Sequence, residues 1–149
     1  MKKASIILLV LSVFALFGYG CDGGSSGGVC TDTSVSVSNT SDAKLYYPCS
    51  ISSAVGATTM TSGYTGTLSQ VEWLSERIAQ SGFVVLAFTP SNIMGMVGGW
   101  RDAHKSSIAK LKDLNNNHSA LRGKIATNKL QTCGHSKGGG GSLWASSDL

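Results

Sequence analysis

No stretch of this chain carries a run of basic residues, and its formal charge of +4 falls to +2 once Lys2 and Lys3 of the leader are set aside. So small and so dispersed a charge excludes an electrostatic footprint for nucleic acid. Internal repeats are missing, and low complexity is confined to Asp22–Gly28. The apolar run Ile6–Phe17 is too short to cross a membrane as a mature helix.

What that run does fit is an export signal over Met1–Gly20, with Lys2 and Lys3 as its basic start. Cys21 follows Gly18-Tyr19-Gly20 and precedes a Gly/Ser tether, the pattern of a bacterial lipoprotein signal, although Gly18 stands where such signals usually have Leu. Lipidation of Cys21 and ordinary cleavage near Gly20 are the two readings. In both, the chain is exported, secreted or lipid-anchored at the envelope, and any membrane association runs through the N-terminus. Residues 21–40 then read as tether and entry segment, and 41–149 as the folded unit. Export makes a disulfide permissible. Cys30 and Cys49 flank the first extended segment and could pair, while Cys133 lies in an apolar strand and reads as a buried thiol. Spacing leaves the pairing open.

Along the folded unit, Val29–Asn39 reads as a weak edge strand or an irregular entry. Lys44–Cys49 is a better strand, and Gly56–Thr61 a short buried one before the turn Ser62–Gly66. Leu68–Ser81 places Val71, Trp73, Leu74 and Ile78 at helical spacing, and Gly82 stops it. Phe83–Phe88 is continuously apolar, as a central parallel strand covered on both faces requires. A Gly- and Met-rich loop, Thr89–Trp100, leads to an amphipathic helix over Arg101–Leu114 that Asn115–Asn117 breaks. Leu130–Cys133 is the last strand, and Lys137–Ser146 opens a helix. Alternating strands and helices predict an α/β fold with a doubly wound, mostly parallel sheet.

Between that strand and that helix lies Gly134-His135-Ser136-Lys137-Gly138, a G-x-S-x-G sequence. A serine hydroxyl becomes a useful nucleophile when a tight strand-to-helix turn presents it to a base, a carbonyl carbon and backbone N–H donors. Gly134 and Gly138 let such a turn form without a Cβ clash. A phosphate-binding reading fails, because counting from Gly134 puts Gly140 where that loop needs lysine. A flexible glycine linker would not explain the strand in front.

Gly134–Ser142 resembles the G-[HW]-S-M-G-G-G-G-[ST] elbow of the bacterial cutinase and PET-hydrolase family of alpha/beta-hydrolases (polyesterase-lipase-cutinase). Ser62-Gly63-Tyr64-Thr65 resembles that family's oxyanion loop, Leu45-Tyr46-Tyr47-Pro48 its Y-Y-P strand, and Gly82-Phe83-Val84-Val85 the strand after its first helix. The resemblance covers the N-terminal half of that fold. It implies an esterase, lipase or cutinase acting on acylglycerols or polyesters, without metal or cofactor. It also implies Ser136 as nucleophile, the N–H groups of Tyr64 and Lys137 as oxyanion hole, and the Tyr64 ring as a clamp on the acyl group.

Two departures stand out. Lys137 occupies a position where the family usually has Met, and should disfavour apolar esters or shift preference toward anionic ones. The family's acid and base follow the serine, yet after Ser136 this sequence has only Asp148 and no histidine. Asp148 reads as a surface acid. His135 is locked beside the serine and reads as packed under the loop, while His104 and His118 read as solvated surface residues. The 149 residues therefore read as a truncated N-terminal part of a hydrolase, poorly folded and inactive alone. A non-catalytic exported lipoprotein that keeps the elbow as a binding cleft is the rival, with a peptidase or thioesterase of the same fold behind it.

Overall fold

The computed structural model describes residues 28–148; the expected export signal, Met1–Gly20, and the expected lipidation site, Cys21, lie outside them. Along the chain come strands β1 (Val29–Asp32), β2 (Thr40–Pro48) and β3 (Val55–Thr61), then helix α1 (Glu72–Gln80) and strand β4 (Val84–Pro90). Helix α2 (Val97–Asn117), strand β5 (Ile125–Gly134) and helix α3 (Lys137–Ser147) complete the order. The strands form one mixed sheet in the order β1-β2-β4-β3-β5. β4, β3 and β5 run parallel, and β2 and β1 are antiparallel to their neighbours.

Topology follows from two crossovers. The chain moves from β3 through α1 to its neighbour β4, then from β4 through α2 to β5 on the far side of β3. Such connections are right-handed, so two that travel in opposite directions across a sheet set their helices on opposite faces. The period of two along β4 then sorts its side chains. Val84, Leu86 and Phe88 pack with Ala103, Ile108 and Leu111 of α2. Val85 and Ala87 pack with Leu68, Val71 and Ala79 on the α1 side. Every residue of β4 is buried, as its unbroken apolar run requires.

Several elements differ from the sequence reading. The stretch Leu68–Ser81 splits into a 3₁₀ turn, Leu68–Gln70, and α1, because Thr89 Oγ1 accepts the Leu68 N–H at 2.8 Å and anchors the turn to β4. α2 begins four residues earlier than expected and includes Asn115–Asn117. There the Asn115 side chain accepts the Ile125 N–H at 2.9 Å and its carbonyl the Gly123 N–H at 2.8 Å, so the asparagines close the helix instead of breaking it. β5 is longer than Leu130–Cys133, and its register against β3 slips between Val55 and Ala57. Val35 and Val37 are buried in the α2-side core without belonging to a strand. Cys133 is exposed, not buried, because β5 is an edge strand.

Cys30 of β1 and Cys49 just after β2 form a disulfide across a sequence separation of 19. It fastens a four-residue edge strand that has few other ties. Replacing both cysteines by serine is expected to lower stability by about 3 kcal/mol, the chain-entropy value for a loop of this size. Urea unfolding reads the change, and an unshifted midpoint would refute it.

Candidate active site

The parallel pairing of β3 and β5 ends with Thr61 opposite Gly134. One step further, the His135 N–H donates to Thr61 O at 3.1 Å. The segments leaving the two strands, Ser62–Gly66 and His135–Lys137, therefore emerge side by side at the carboxyl edge of the sheet. This is the end of an open α/β sheet where ligand crevices form. The first segment turns tightly: Gly66 N–H donates to Gly63 O at 3.0 Å, and Thr65 takes a φ of 58°. A positive φ at the third residue is what a type II turn demands. Thr65 N–H is held by Ile93 O at 2.9 Å.

On the second segment Ser136 has φ 53° and ψ −120°, a region that L-residues avoid. Holding a serine there costs about 1–3 kcal/mol and persists only where the surroundings enforce it. Close backbone approach enforces it here. A Cβ on Gly134 would lie 2.5 Å from the Gly138 carbonyl carbon, and one on Gly138 would lie 2.5 Å from Ser62 O. A Cβ on Gly63 would meet the Ser136 Cβ at 2.8 Å. Ser136 is exposed at the first turn of α3. Among the described residues, neither the Tyr64 N–H nor the Lys137 N–H has an intramolecular acceptor. The site thus joins an exposed hydroxyl, two unclaimed amide donors and the positive end of a helix, a combination suited to a developing negative oxygen.

α2 supports both segments from below. Trp100 Nε1 donates to Ser62 O at 3.0 Å, and its Cβ leaves no room for a side chain at Gly141. One turn on, His104 is fully buried, which corrects the expectation of a surface residue. Its Nε2 lies 3.2 Å from Gly138 O and its Nδ1 2.7 Å from Thr59 Oγ1. A carbonyl only accepts, so Nε2 carries the proton and Nδ1 accepts from the threonine hydroxyl. The Phe88 ring meets the imidazole edge-on at 4.9 Å. Burial depresses the His104 pKa to about 4, partly offset by the bond to Gly138, and the ring is neutral. The signal for this residue was in the sequence: Trp100, His104, Ile108 and Leu111 share one helical stripe.

Lys137 spans the mouth of the site. Its Nζ donates to Gly95 O at 2.9 Å and sits 4.3 Å above the Tyr64 ring and 5.6 Å from that of Trp100. Its ammonium has no carboxylate partner among the described residues. Tyr64 itself is 53% exposed, with one face under the lysine.

The remaining candidates lie elsewhere or face solvent. His135 is exposed and does not pack beneath the loop; its backbone is engaged on both sides, by Thr61 O and by the Gly138 N–H. His118 is no solvated residue either. It caps α2, stacks edge-on against Tyr47, and bonds Asp32 at 3.2 Å. Asp32 in turn accepts two bonds from Ser34, which lower its pKa below the usual carboxylate range. Asp148 is exposed at the end of α3 and pairs with Lys105 at 3.2 Å. Among the described residues no histidine bonds Ser136 Oγ.

Two predictions test this packing. At Gly140 a Cβ would make ordinary contact with Val97 at 3.5 Å, so Gly140→Ala should stabilise by up to about 1 kcal/mol through helix propensity. Gly138→Ala should instead destabilise by about 1–3 kcal/mol or more through overpacking. Equal melting temperatures for the two variants would contradict the geometry. The second concerns pH. An unfolded His104 takes up a proton as pH falls through the ordinary imidazole value of 6.5, whereas the folded one resists until about 4. Stability should decline across that window by roughly 3 kcal/mol and level off below it. Urea unfolding at pH 7 and pH 5 measures the slope, which His104→Gln should reduce.

A family model described as PET hydrolase-like matches residues 24–148. Cutinase 2 of Thermobifida cellulosilytica is 37% identical over 99 residues, which cover 66% of this chain and 37% of that protein. Cutinase est2 of Thermobifida alba is 38% identical over 99 residues, 66% of this chain and 32% of its own length. A bis(hydroxyethyl) terephthalate hydrolase of Streptomyces coelicolor is 34% identical over 118 residues, covering 76% of this chain and 37% of the relative. The chain spans well under half the length of these relatives, and the match takes in both segments that meet at Ser136: it belongs to the PET hydrolase-like family.

Proposed function

We propose that this chain is the N-terminal part of an exported alpha/beta-hydrolase that cleaves carboxylic esters through Ser136. The observation that carries the reading is the strained Ser136, φ 53°, set against Gly63 of the neighbouring turn. Ser136 Oγ attacks the ester carbonyl carbon, and the carbonyl π electrons move onto oxygen. The N–H groups of Tyr64 and Lys137 hold that oxyanion. Its collapse expels the alcohol, which takes up a proton, and leaves an acyl-serine that water then cleaves to the acid. A base must accept the serine proton and return it to the alcohol. None of the three histidines is placed for this, so base and acid belong to the further length that the relatives have. Polyesters and related small esters are the proposed substrates, by likeness to the cutinases and the terephthalate-ester hydrolase. Export is supported by Met1–Gly20 and by the Cys30–Cys49 bridge, which suits an oxidising compartment.

Lys137 sharpens the substrate class. An aromatic or alkyl acyl group that stacks on Tyr64 must displace an ammonium lying 4.3 Å above the ring. Neutral apolar esters are therefore disfavoured, and an acyl group carrying its own carboxylate gains a partner.

Hydrolysis of p-nitrophenyl butyrate by the hydrolase domain extended to its relatives' length tests both points. Ser136→Ala should lower kcat by about a million-fold. Lys137→Met should raise kcat/KM on this neutral ester about three- to tenfold, the worth of a cation–π contact. The 149-residue chain alone, which lacks a placed base, should be slower than the extended domain by about a million-fold, but it should still bind phenylboronic acid. Boron accepts Ser136 Oγ without a general base, the hydroxyl proton passes to water, and the adduct needs the two amide donors. Hydrolysis that survives Ser136→Ala would overturn the reading.

A further inference from the structure

Two side chains of α2, one helical turn apart, grip the two backbone segments that meet at Ser136. Trp100 Nε1 holds Ser62 O at 3.0 Å, two residues before Tyr64. His104 Nε2 holds Gly138 O at 3.2 Å, one residue after Lys137. Both rings are fully buried, so the bonds act in a low-dielectric interior, where they are strong and where losing one leaves an orphaned carbonyl. His104 cannot turn to serve another acceptor. Its Nδ1 is occupied by Thr59 Oγ1 at 2.7 Å and its ring plane is fixed by Phe88 at 4.9 Å. Thr59 lies in β3, two residues before Thr61, whose carbonyl receives the His135 N–H. The imidazole therefore links the strand that carries the first segment to the helix that carries the second.

We infer that Trp100 and His104 are positioning residues for the oxyanion hole, Trp100 setting the Tyr64 N–H through Ser62 and His104 setting the Lys137 N–H through Gly138. The inference rests on the reading of those two amides as the oxyanion donors. An apolar pair of the same shape would fill the space under the site, but it would not fix the direction of either carbonyl. The separation of the two donors is then a property of α2, an element that presents no group to the substrate.

The test uses amide ¹H–¹⁵N spectra and phenylboronic acid affinity together. His104→Phe keeps an aromatic ring, slightly larger than imidazole, and removes both bonds. It should shift the Lys137 amide, leave the Tyr64 amide in place, and weaken boronate binding about tenfold, the worth of one buried hydrogen bond. Trp100→Phe should do the reverse, shifting Tyr64 and sparing Lys137. His104→Gln retains a donor and an acceptor and should restore affinity to within about threefold of the parent. A purely structural role predicts no such division between the two amides and no rescue by glutamine. Should His104→Phe fail to fold, Thr59→Val decides: it removes the bond that fixes the imidazole, and it should move the Lys137 amide alone. Unchanged Lys137 shifts in either variant overturn the inference. A parent protein that does not bind the boronate would overturn the esterase reading instead, while the amide shifts would still decide whether α2 sets the two donors.

Discussion

Parallel pairing of β3 with β5 up to Thr61 and Gly134 is the constraint on which the site depends. It brings two backbones to the same level at the sheet's carboxyl edge, so close that Gly63, Gly134 and Gly138 tolerate no side chain. The unusual dihedrals of Ser136 follow from that crowding. So does the exposure of its hydroxyl, because a strand that must become a helix within two residues has no room to fold the serine inward. The same register makes β3 the pivot of the topology. One crossover leaves β3 for β4, the next passes from β4 across β3 to β5, and one helix lands on each face.

Electrostatics at this edge all carry one sign. The α3 N-terminus, two unclaimed amides and the Lys137 ammonium converge near Ser136, and no described carboxylate opposes them. The lysine is satisfied by a carbonyl and two aromatic faces. Its charge is therefore held over the Tyr64 ring, one residue from Ser136.

Much of this was legible before any coordinates. β4 announced itself as an unbroken apolar run, and the elbow and the Ser62–Gly66 turn were identifiable from glycine placement, because backbone approach can be satisfied by no other residue. Helix ends were harder. Asn115–Asn117 resemble a breaker, and only the loop that bonds back to Asn115 reveals a cap. His104 and His118 read as surface residues because histidine as a residue type does not tell burial from exposure, although His104 lies on the buried stripe of α2. Burial depends on partners distant in sequence, Thr59 and Gly138 for one, Asp32 and Tyr47 for the other. Cys133 was misread for a related reason: an apolar strand looks the same at the centre and at the edge of a sheet, and pairing order decides between them.

The glycine run at the start of α3 has a consequence for assembly. Four consecutive glycines, Gly138–Gly141, forfeit about 1 kcal/mol each of helix propensity relative to alanine, so this helix has little tendency to form by itself. It stands because Trp100, His104 and β5 are already in place to receive it. The conformation that exposes Ser136 therefore belongs to the assembled domain and to no local segment. A chain still emerging or partly unfolded would not present this serine, so the exposure of its hydroxyl comes into being together with the fold.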